Sequence, residues 1–268
     1  MWPILFKIGP YSVSTYYVMY AIAFFSALSV AIILGKKRSF RPKVFVDASF
    51  FTLFFAIVGS RLFYVIFNYS SSSNTDLNYM ITLFLHGGNV SFGAILGGAI
   101  ALFIFLYLNR FTRPRFWEAL DVFSPPTALG IFFGRLGCFF AGCCHGKPAF
   151  GLPWAVVYNN PLSACVYKGI PIHPTQLYEA FGALLLFFFL LFLFKKELFK
   201  GQLCWIFFLF YGVLRFGVEF FRGDPRPMVT PYLSLGQVIC IGFILFSISA
   251  LLWRNRTVFK RRKVVNDL

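Results

Sequence analysis

Arg61, Arg135 and Arg215 are the side chains best placed to do chemistry in this chain, because each stands in the middle of an apolar stretch long enough to lie in lipid. A guanidinium near mid-bilayer costs roughly 2.5 to 3.5 kcal/mol on insertion scales, so such residues face a protein interior and mark a site. The group keeps its charge, and its planar fork matches phosphate oxygens. The chemistry implied is recognition of an anionic lipid headgroup, most simply a phospholipid phosphate, inside the membrane domain.

Further candidates surround these arginines. The run Gly134-Arg135-Leu-Gly137-Cys138-Phe-Phe-Ala141-Gly142-Cys143-Cys144-His145-Gly146-Lys147 carries four glycines that let a ligand or a second helix approach closely. Arg215, Glu219 and Arg222 are spaced by four and three, which predicts one helical face near the end of the sixth apolar stretch. Glu219 would hold Arg215 in place or accept a proton beside it, a structural ion pair being the alternative. His173-Pro-Thr175-Gln176-Leu-Tyr178-Glu179 reads as a helix start with Thr175 as N-cap. Within it, His173 is a candidate base and Gln176 a candidate substrate contact. Tyr16 and Tyr20, four apart, share a face and are either an aromatic belt or headgroup donors. Cys138, Cys143, Cys144 and His145 match none of the common zinc spacings. Packed thiols, a disulfide or a reactive thiolate beside Arg135, Lys147 and His145 remain open.

The elements that must position these groups follow from composition. Of 268 residues 59% are hydrophobic and 39 are Phe, with a mean hydropathy of +0.74, values that exclude an ordinary soluble domain. Seven stretches of about twenty apolar residues are legible: 13–34, 45–67, 90–108, 117–140, 176–194, 203–221 and 233–253. An all-α membrane protein of seven transmembrane helices, forming one polytopic domain over 1–268, is expected. Of the 25 Lys and Arg, 17 fall in one set of alternate loops and the C-terminal tail 254–268, and five in the opposite set. The positive-inside principle then puts the N-terminus outside and the C-terminus in the cytoplasm. The outer connections are 70–78, 144–175 and 222–232. The net charge of +16 is read as orientation and anionic lipid contact rather than nucleic-acid binding. No cleavable leader is expected, since 1–10 has one Lys and no small-residue cleavage site.

Taken in order along the chain, these motifs resemble the prolipoprotein diacylglyceryl transferase family. The likeness runs through Ile8-Gly9-Pro10 before Tyr16 and Tyr20, Gly59-Ser-Arg61-Leu-Phe-Tyr64, Ser91-Phe92, Gly134-Arg135-Leu-Gly137, His173 to Glu179, and Arg215-Phe-Gly-Val-Glu219-Phe-Phe-Arg222. The resemblance implies a multi-pass enzyme of the bacterial inner membrane. Its partners would be phosphatidylglycerol, the signal peptide of a prolipoprotein with its lipobox cysteine, and surrounding membrane lipids. A peptide thiolate would attack the glyceryl carbon, forming a thioether and expelling glycerol phosphate. Arg135 and Arg215 would hold the phosphate, with Arg222 at the outer mouth, Arg61 as a supporting cation and Tyr16 and Tyr20 on headgroup oxygens. No metal or organic cofactor is implied. The chain departs from the family signature Gly-Asn-Phe-x-Asn-Gly-Glu, having Cys138, Ala141 and Cys143 at the Asn, Asn and Glu positions. Gly93 stands where a histidine is expected. Cys143 is therefore a candidate stand-in for the lost carboxylate. A related headgroup transferase with another acceptor, or a non-enzymatic lipid carrier, are the competing readings.

Overall fold

A computed structural model of the chain describes all residues except 1, 10, 70–75, 87–90, 197–198, 227 and 267–268. Each of the seven apolar stretches forms a helix. These are α1 (Thr15–Lys37), α2 (Pro42–Tyr69), α4 (Ser91–Leu108), α5 (Phe116–Ala141), α6 (Thr175–Phe194), α7 (Gln202–Glu219) and α8 (Leu235–Asn266), with a short extra helix α3 (Leu77–His86). Five of them, α1, α2, α6, α7 and α8, are long and apolar enough to cross a membrane alone. The pair α4 and α5, bent by 114° across the intervening turn, passes the same test together, giving up to six candidate spans. The protein is thus a largely helical membrane protein.

Several expectations are corrected. The chain opens with an unforeseen antiparallel hairpin, β1 (Ile4–Ile8) and β2 (Tyr11–Ser14), whose turn contains Gly9 at φ +57°. It fixes the start of α1, because Thr15 donates its amide to Pro3 O at 3.0 Å and its hydroxyl to Trp2 O at 2.6 Å. Of the outer loop placed at 70–78, residues 70–75 lie outside the described set, and Leu77 already belongs to α3. The basic segment expected as a tail continues α8 as far as Asn266. Helix α7 stops at Glu219, so the sixth stretch does not stay helical to Phe221 and Arg222 leaves the helical face. Instead Arg222 forms an antiparallel bridge with Gly146, and the amide of Gly223 donates to His145 O at 3.0 Å.

The chain divides into two compact units, 32–119 and 1–31 with 120–268. In the first, α2 and α4 meet through glycines. A Cβ on Gly59 would strike the Gly93 carbonyl, one on Gly93 would strike the Gly59 carbonyl and lie 2.7 Å from Phe63 Cβ, and one on Gly97 would lie 2.5 Å from Phe55 O. Such small-residue contacts are how helices associate where lipid removes the hydrophobic drive. The same contact leaves no room at position 93 for the imidazole that the resemblance implies.

In the other unit α6 packs on α7 and α7 on α8. The N-cap of α7 is Gly201 at φ +91°, which has no side chain to cap with. Asp121 of α5, 1% exposed, takes that role by accepting from the amides of Gly201 and Cys204 at 2.5 and 3.0 Å. The connection 142–174 forms a small cap around Tyr158, Cys165 and Ile172. It docks on the end of α5 through Tyr158 Oη to Phe139 O at 2.8 Å and the Ala164 amide to Ala141 O at 2.9 Å.

Restoring the family residue by Gly93→His should lower stability by about 1 to 3 kcal/mol, the ordinary cost of overpacking. Gly242→Ala, where an added Cβ meets nothing within 4 Å, should be neutral or slightly stabilising. Thermal unfolding of the two variants in detergent micelles measures both.

Candidate active site

The centre of the site is one carboxylate, Glu179 on α6, which is 0% exposed. Arg135 of α5 places Nη2 2.8 Å from its Oε1, Tyr211 of α7 donates to the same oxygen at 2.7 Å, and Arg215 Nε lies 3.9 Å from its Oε2. Arg215 Nη1 is 2.7 Å from Glu219 Oε2, yet the two atoms are out of line and form no directed hydrogen bond. Ser234 donates to the other oxygen of Glu219 at 2.9 Å. Beyond the end of α7, Arg222 makes a bidentate pair with Asp224, both contacts 2.8 Å, and Arg226 reaches Asp224 at 3.1 Å and Glu219 at 4.0 Å. Every arginine in this group therefore faces a carboxylate. Four guanidinium groups nonetheless meet only three carboxylates, which leaves one positive charge in excess. The side chains of Arg135 and Arg215 keep 19 and 14% exposure. A monoanionic phosphodiester would take up that excess, and a ligand oxygen would supply the direction that Arg215 Nη1 lacks.

Next to the arginines the chain turns sharply. Gly142 at φ +80° and Cys144 at φ +60° reverse it after Ala141. A side chain at Gly142 would collide with Ser163 Oγ, so glycine is required there. Thr175 does not cap α6. It is the first helical residue, Pro174 precedes it without a side-chain cap, and the Thr175 hydroxyl instead donates to Cys144 O at 2.9 Å. Gln176 likewise donates to Cys143 O at 2.7 Å. The start of α6 is thus tied to the turn rather than to its own amides. The three thiols of Cys138, Cys143 and Cys144 lie within 4.8 Å of one another. Hydrogen bonds with Cys138 and Cys144, together with burial, push the Cys143 thiol up. Hydrogen bonds from Cys138 and Cys143 push Cys144 down against burial, and Arg222 and Arg135 add to this.

Tyr16 and Tyr20 pack against each other, their ring centroids 4.5 Å apart. Tyr20 lies within electrostatic reach of Arg135, and Gly137 lets α1 come close, since a Cβ there would sit 3.5 Å from Tyr20 Cδ2.

A family model described as prolipoprotein diacylglyceryl transferase matches residues 3–253. This chain belongs to the prolipoprotein diacylglyceryl transferase family. It is 35% identical over 256 residues to a phosphatidylglycerol–prolipoprotein diacylglyceryl transferase of Clostridium tetani, covering 92% of this chain and 98% of the relative. A protein of the same name from Synechocystis is 31% identical, covering 99 and 95%, and one from Finegoldia magna is 32% identical, covering 90 and 91%.

Within this family member the structure brings Arg135, Arg215, Glu219, Arg222, Tyr16, Tyr20 and Cys143 into one neighbourhood. Gln176 touches it through the Cys143 carbonyl, and its own Oε1 is buried with no hydrogen-bond partner. His173 is held by Tyr178 Oη at 3.2 Å from Nδ1 and by the Phe221 ring at 5.1 Å, while Trp154 donates to the same hydroxyl. Arg61 belongs to α2 in the other compact unit and is partly buried. Glu179 and Tyr211 were missed as site residues. The signal available was a carboxylate four residues into an apolar helix, which a helix-start pattern explained too easily.

Glu179→Gln should cost about 3 to 5 kcal/mol, the usual penalty for stripping a buried charge of its partner, and should abolish activity even where the protein still inserts. Folded yield and thermal unfolding in detergent check the first part. Asp224 gives a pH test outside the spans. Burial alone would raise its carboxyl, but the hydrogen bonds and charge of Arg222, helped by Arg226, outweigh that and hold it below the ordinary carboxylate range. An aspartate in an unfolded chain titrates near about 3.9. The stabilisation is therefore complete above that value and is lost as pH falls through the lower folded value. Asp224→Asn should flatten the acid limb of a stability-versus-pH profile.

Proposed function

We propose that this protein transfers the diacylglyceryl group of phosphatidylglycerol to the lipobox cysteine of prolipoproteins, forming a thioether and releasing glycerol phosphate. The observation that carries the reading is the group of Arg135 and Arg215 around Glu179, one positive charge in excess, in a chain of this family. Displacement at the glyceryl carbon turns a phosphodiester monoanion into a monoester dianion. The site must hold that growing charge more tightly than the starting one, which is how a fixed cationic cluster accelerates the step. Arg135 and Arg215 take the phosphate oxygens, Glu179 and Glu219 orient them, and Arg222 stands at the outer mouth. Tyr16 and Tyr20 donate to the headgroup and Gln176 contacts substrate through the thiol turn. His173 serves as base, Cys143 replaces the family carboxylate, and Arg61 is a supporting cation.

In this reading the chain is one polytopic domain of seven spans in a bacterial inner membrane, with the N-terminus outside. The acyl chains enter sideways. An apolar groove between α6 and α7, about 360 Å³ and lined by Gly182, Leu185, Leu186, Phe189, Phe210, Val213 and Leu214, suits such a chain. One observation favours a second reading, a headgroup transferase with another acceptor: Gly93 and Cys143 stand where the family has an imidazole and a carboxylate.

Arg135→Ala should lower thioether formation by at least about 10²- to 10³-fold in vesicles of phosphatidylglycerol with a lipobox peptide, while membrane insertion is retained. Normal turnover by that variant removes Arg135 from the phosphate role. Mass spectrometry of lipoprotein N-termini in cells that carry only this transferase separates the two acceptors.

A further inference from the structure

We propose that Cys138, Cys143 and Cys144 form a three-thiolate site for a thiophilic cation of the Zn²⁺ type, whose fourth position receives the sulfur of the acceptor cysteine. The inference rests on the transferase reading and assigns it an activating group. Spacing along the chain gave no reason to expect a metal here. The reason comes from the fold: the left-handed residues Gly142 and Cys144 fold the chain back on the end of α5, so that the three sulfur atoms fall within 4.8 Å of one another. Tetrahedral zinc with Zn–S bonds of about 2.3 Å sets its sulfurs about 3.8 Å apart, so the cluster lies within about 1 Å of that spacing. Cys144 is one of only two non-glycine residues with positive φ among the described residues, a strain that needs a compensating role.

The surroundings fit a site held ready. The carbonyls of Cys143 and Cys144 are fixed by Gln176 and Thr175, the Gly142 amide donates to Cys138 O at 2.9 Å, and the Cys143 thiol makes a longer contact with the same oxygen at 3.8 Å. His145 does not join them. Its ring contacts Gly146 O at 3.2 Å and the Val166 amide at 3.5 Å and lies edge-on to Tyr167. Among the described residues the donor set is thus three sulfurs, and three protein ligands with an open fourth position is the arrangement of a catalytic rather than a structural zinc. Cys143 and Cys144 are partly exposed, so a ligand can reach the metal. Arg135, Arg222 and Tyr16 lie beside the same thiols, which places a metal-bound sulfur next to the phosphate-holding groups.

The chemistry balances. The acceptor thiol binds the cation as thiolate and releases its proton to the base, His173. The sulfur lone pair forms the new S–C bond at the glyceryl carbon, the C–O bond to phosphate breaks, and the phosphate leaves with that electron pair as a monoester dianion held by Arg135 and Arg215. Coordination keeps the sulfur ionised near neutral pH, the task a carboxylate base performs when one is present.

The test uses the full-length protein, reduced and metal-free in detergent, titrated with Co²⁺ and then Zn²⁺. One Co²⁺ per chain with a near-ultraviolet sulfur-to-cobalt band, displaced by Zn²⁺, is expected. Cys138→Ser and Cys143→Ser should lose that band, whereas Cys204→Ser and Cys240→Ser keep it. A lipobox peptide containing cysteine should alter the visible cobalt spectrum, and its serine counterpart should leave it unchanged. Absence of the band while thiol titration shows the cysteines free, or a disulfide within the trio in protein isolated from membranes, overturns the site. Full-rate thioether formation by protein verified as metal-free also overturns it and leaves the transferase reading standing. A cobalt band that responds to the peptide in a protein that transfers nothing from phosphatidylglycerol supports the metal–thiol site and removes the transferase reading instead.

Discussion

A single buried carboxylate sets the geometry on which the rest depends. Glu179 on α6 takes Arg135 from α5 and Tyr211 from α7 on one oxygen, with Arg215, also from α7, at 3.9 Å from the other. Three helices are fixed relative to one another by one side chain. A charge withdrawn from water into this environment is costly alone, and two guanidinium groups withdrawn together are costlier. Joined, the three groups offset one another, and the helices can keep their apolar faces toward lipid while a polar cluster survives between them. The same arrangement leaves the arginines aligned but not fully neutralised. A protein that bound its own arginines with equal numbers of carboxylates would hold a phosphate less tightly.

The turn after α5 depends on this centre in a less direct way. The thiol turn hangs from the end of α5, is tied to α6 by Thr175 and Gln176, and pairs with the segment after α7 through Gly146 and Arg222. Helix starts in soluble proteins satisfy their amides with their own side chains. Here those side chains hold the carbonyls of a neighbouring turn instead. Local helix stability is given up for precise placement of the sulfurs beside the arginines.

How much of this was legible follows from which forces act locally. The seven helices could be read from apolar length alone, and most of their bounds moved by only a few residues, although α8 runs on through the basic segment to Asn266. Helix α7 is the instructive exception. Phe220 and Phe221 continue the apolar run, but the bridge of Arg222 to Gly146 pulls the chain out of the helix, and that partner is 76 positions away in sequence. Arg135, Arg215 and Glu219 stood out because charge in an apolar setting is conspicuous. Glu179 did not, since the Thr175 to Glu179 pattern has a complete local explanation and its true partners lie on two other helices. The thiol cluster was equally hidden. Cysteine spacing is informative when the intervening chain is regular, and here a left-handed residue decides which sulfurs meet.

The two departures from the family signature then carry different meanings. Gly93 is demanded by packing, because the α2 and α4 backbones meet at Gly59 and Gly93 and any side chain would force them apart. The cysteines at 138 and 143 answer no such demand, since a small apolar residue would fill the same volume without collecting three sulfurs against Arg135 and Arg222. A reaction that begins with a thiol and ends with a departing phosphate needs the first ionised and the second neutralised. The arginine cluster accounts for the second need. His173 is the base assigned to take the proton, and with no imidazole at 93 and no carboxylate at 143 the thiol turn is the part of the site whose chemistry can hold the ionised sulfur.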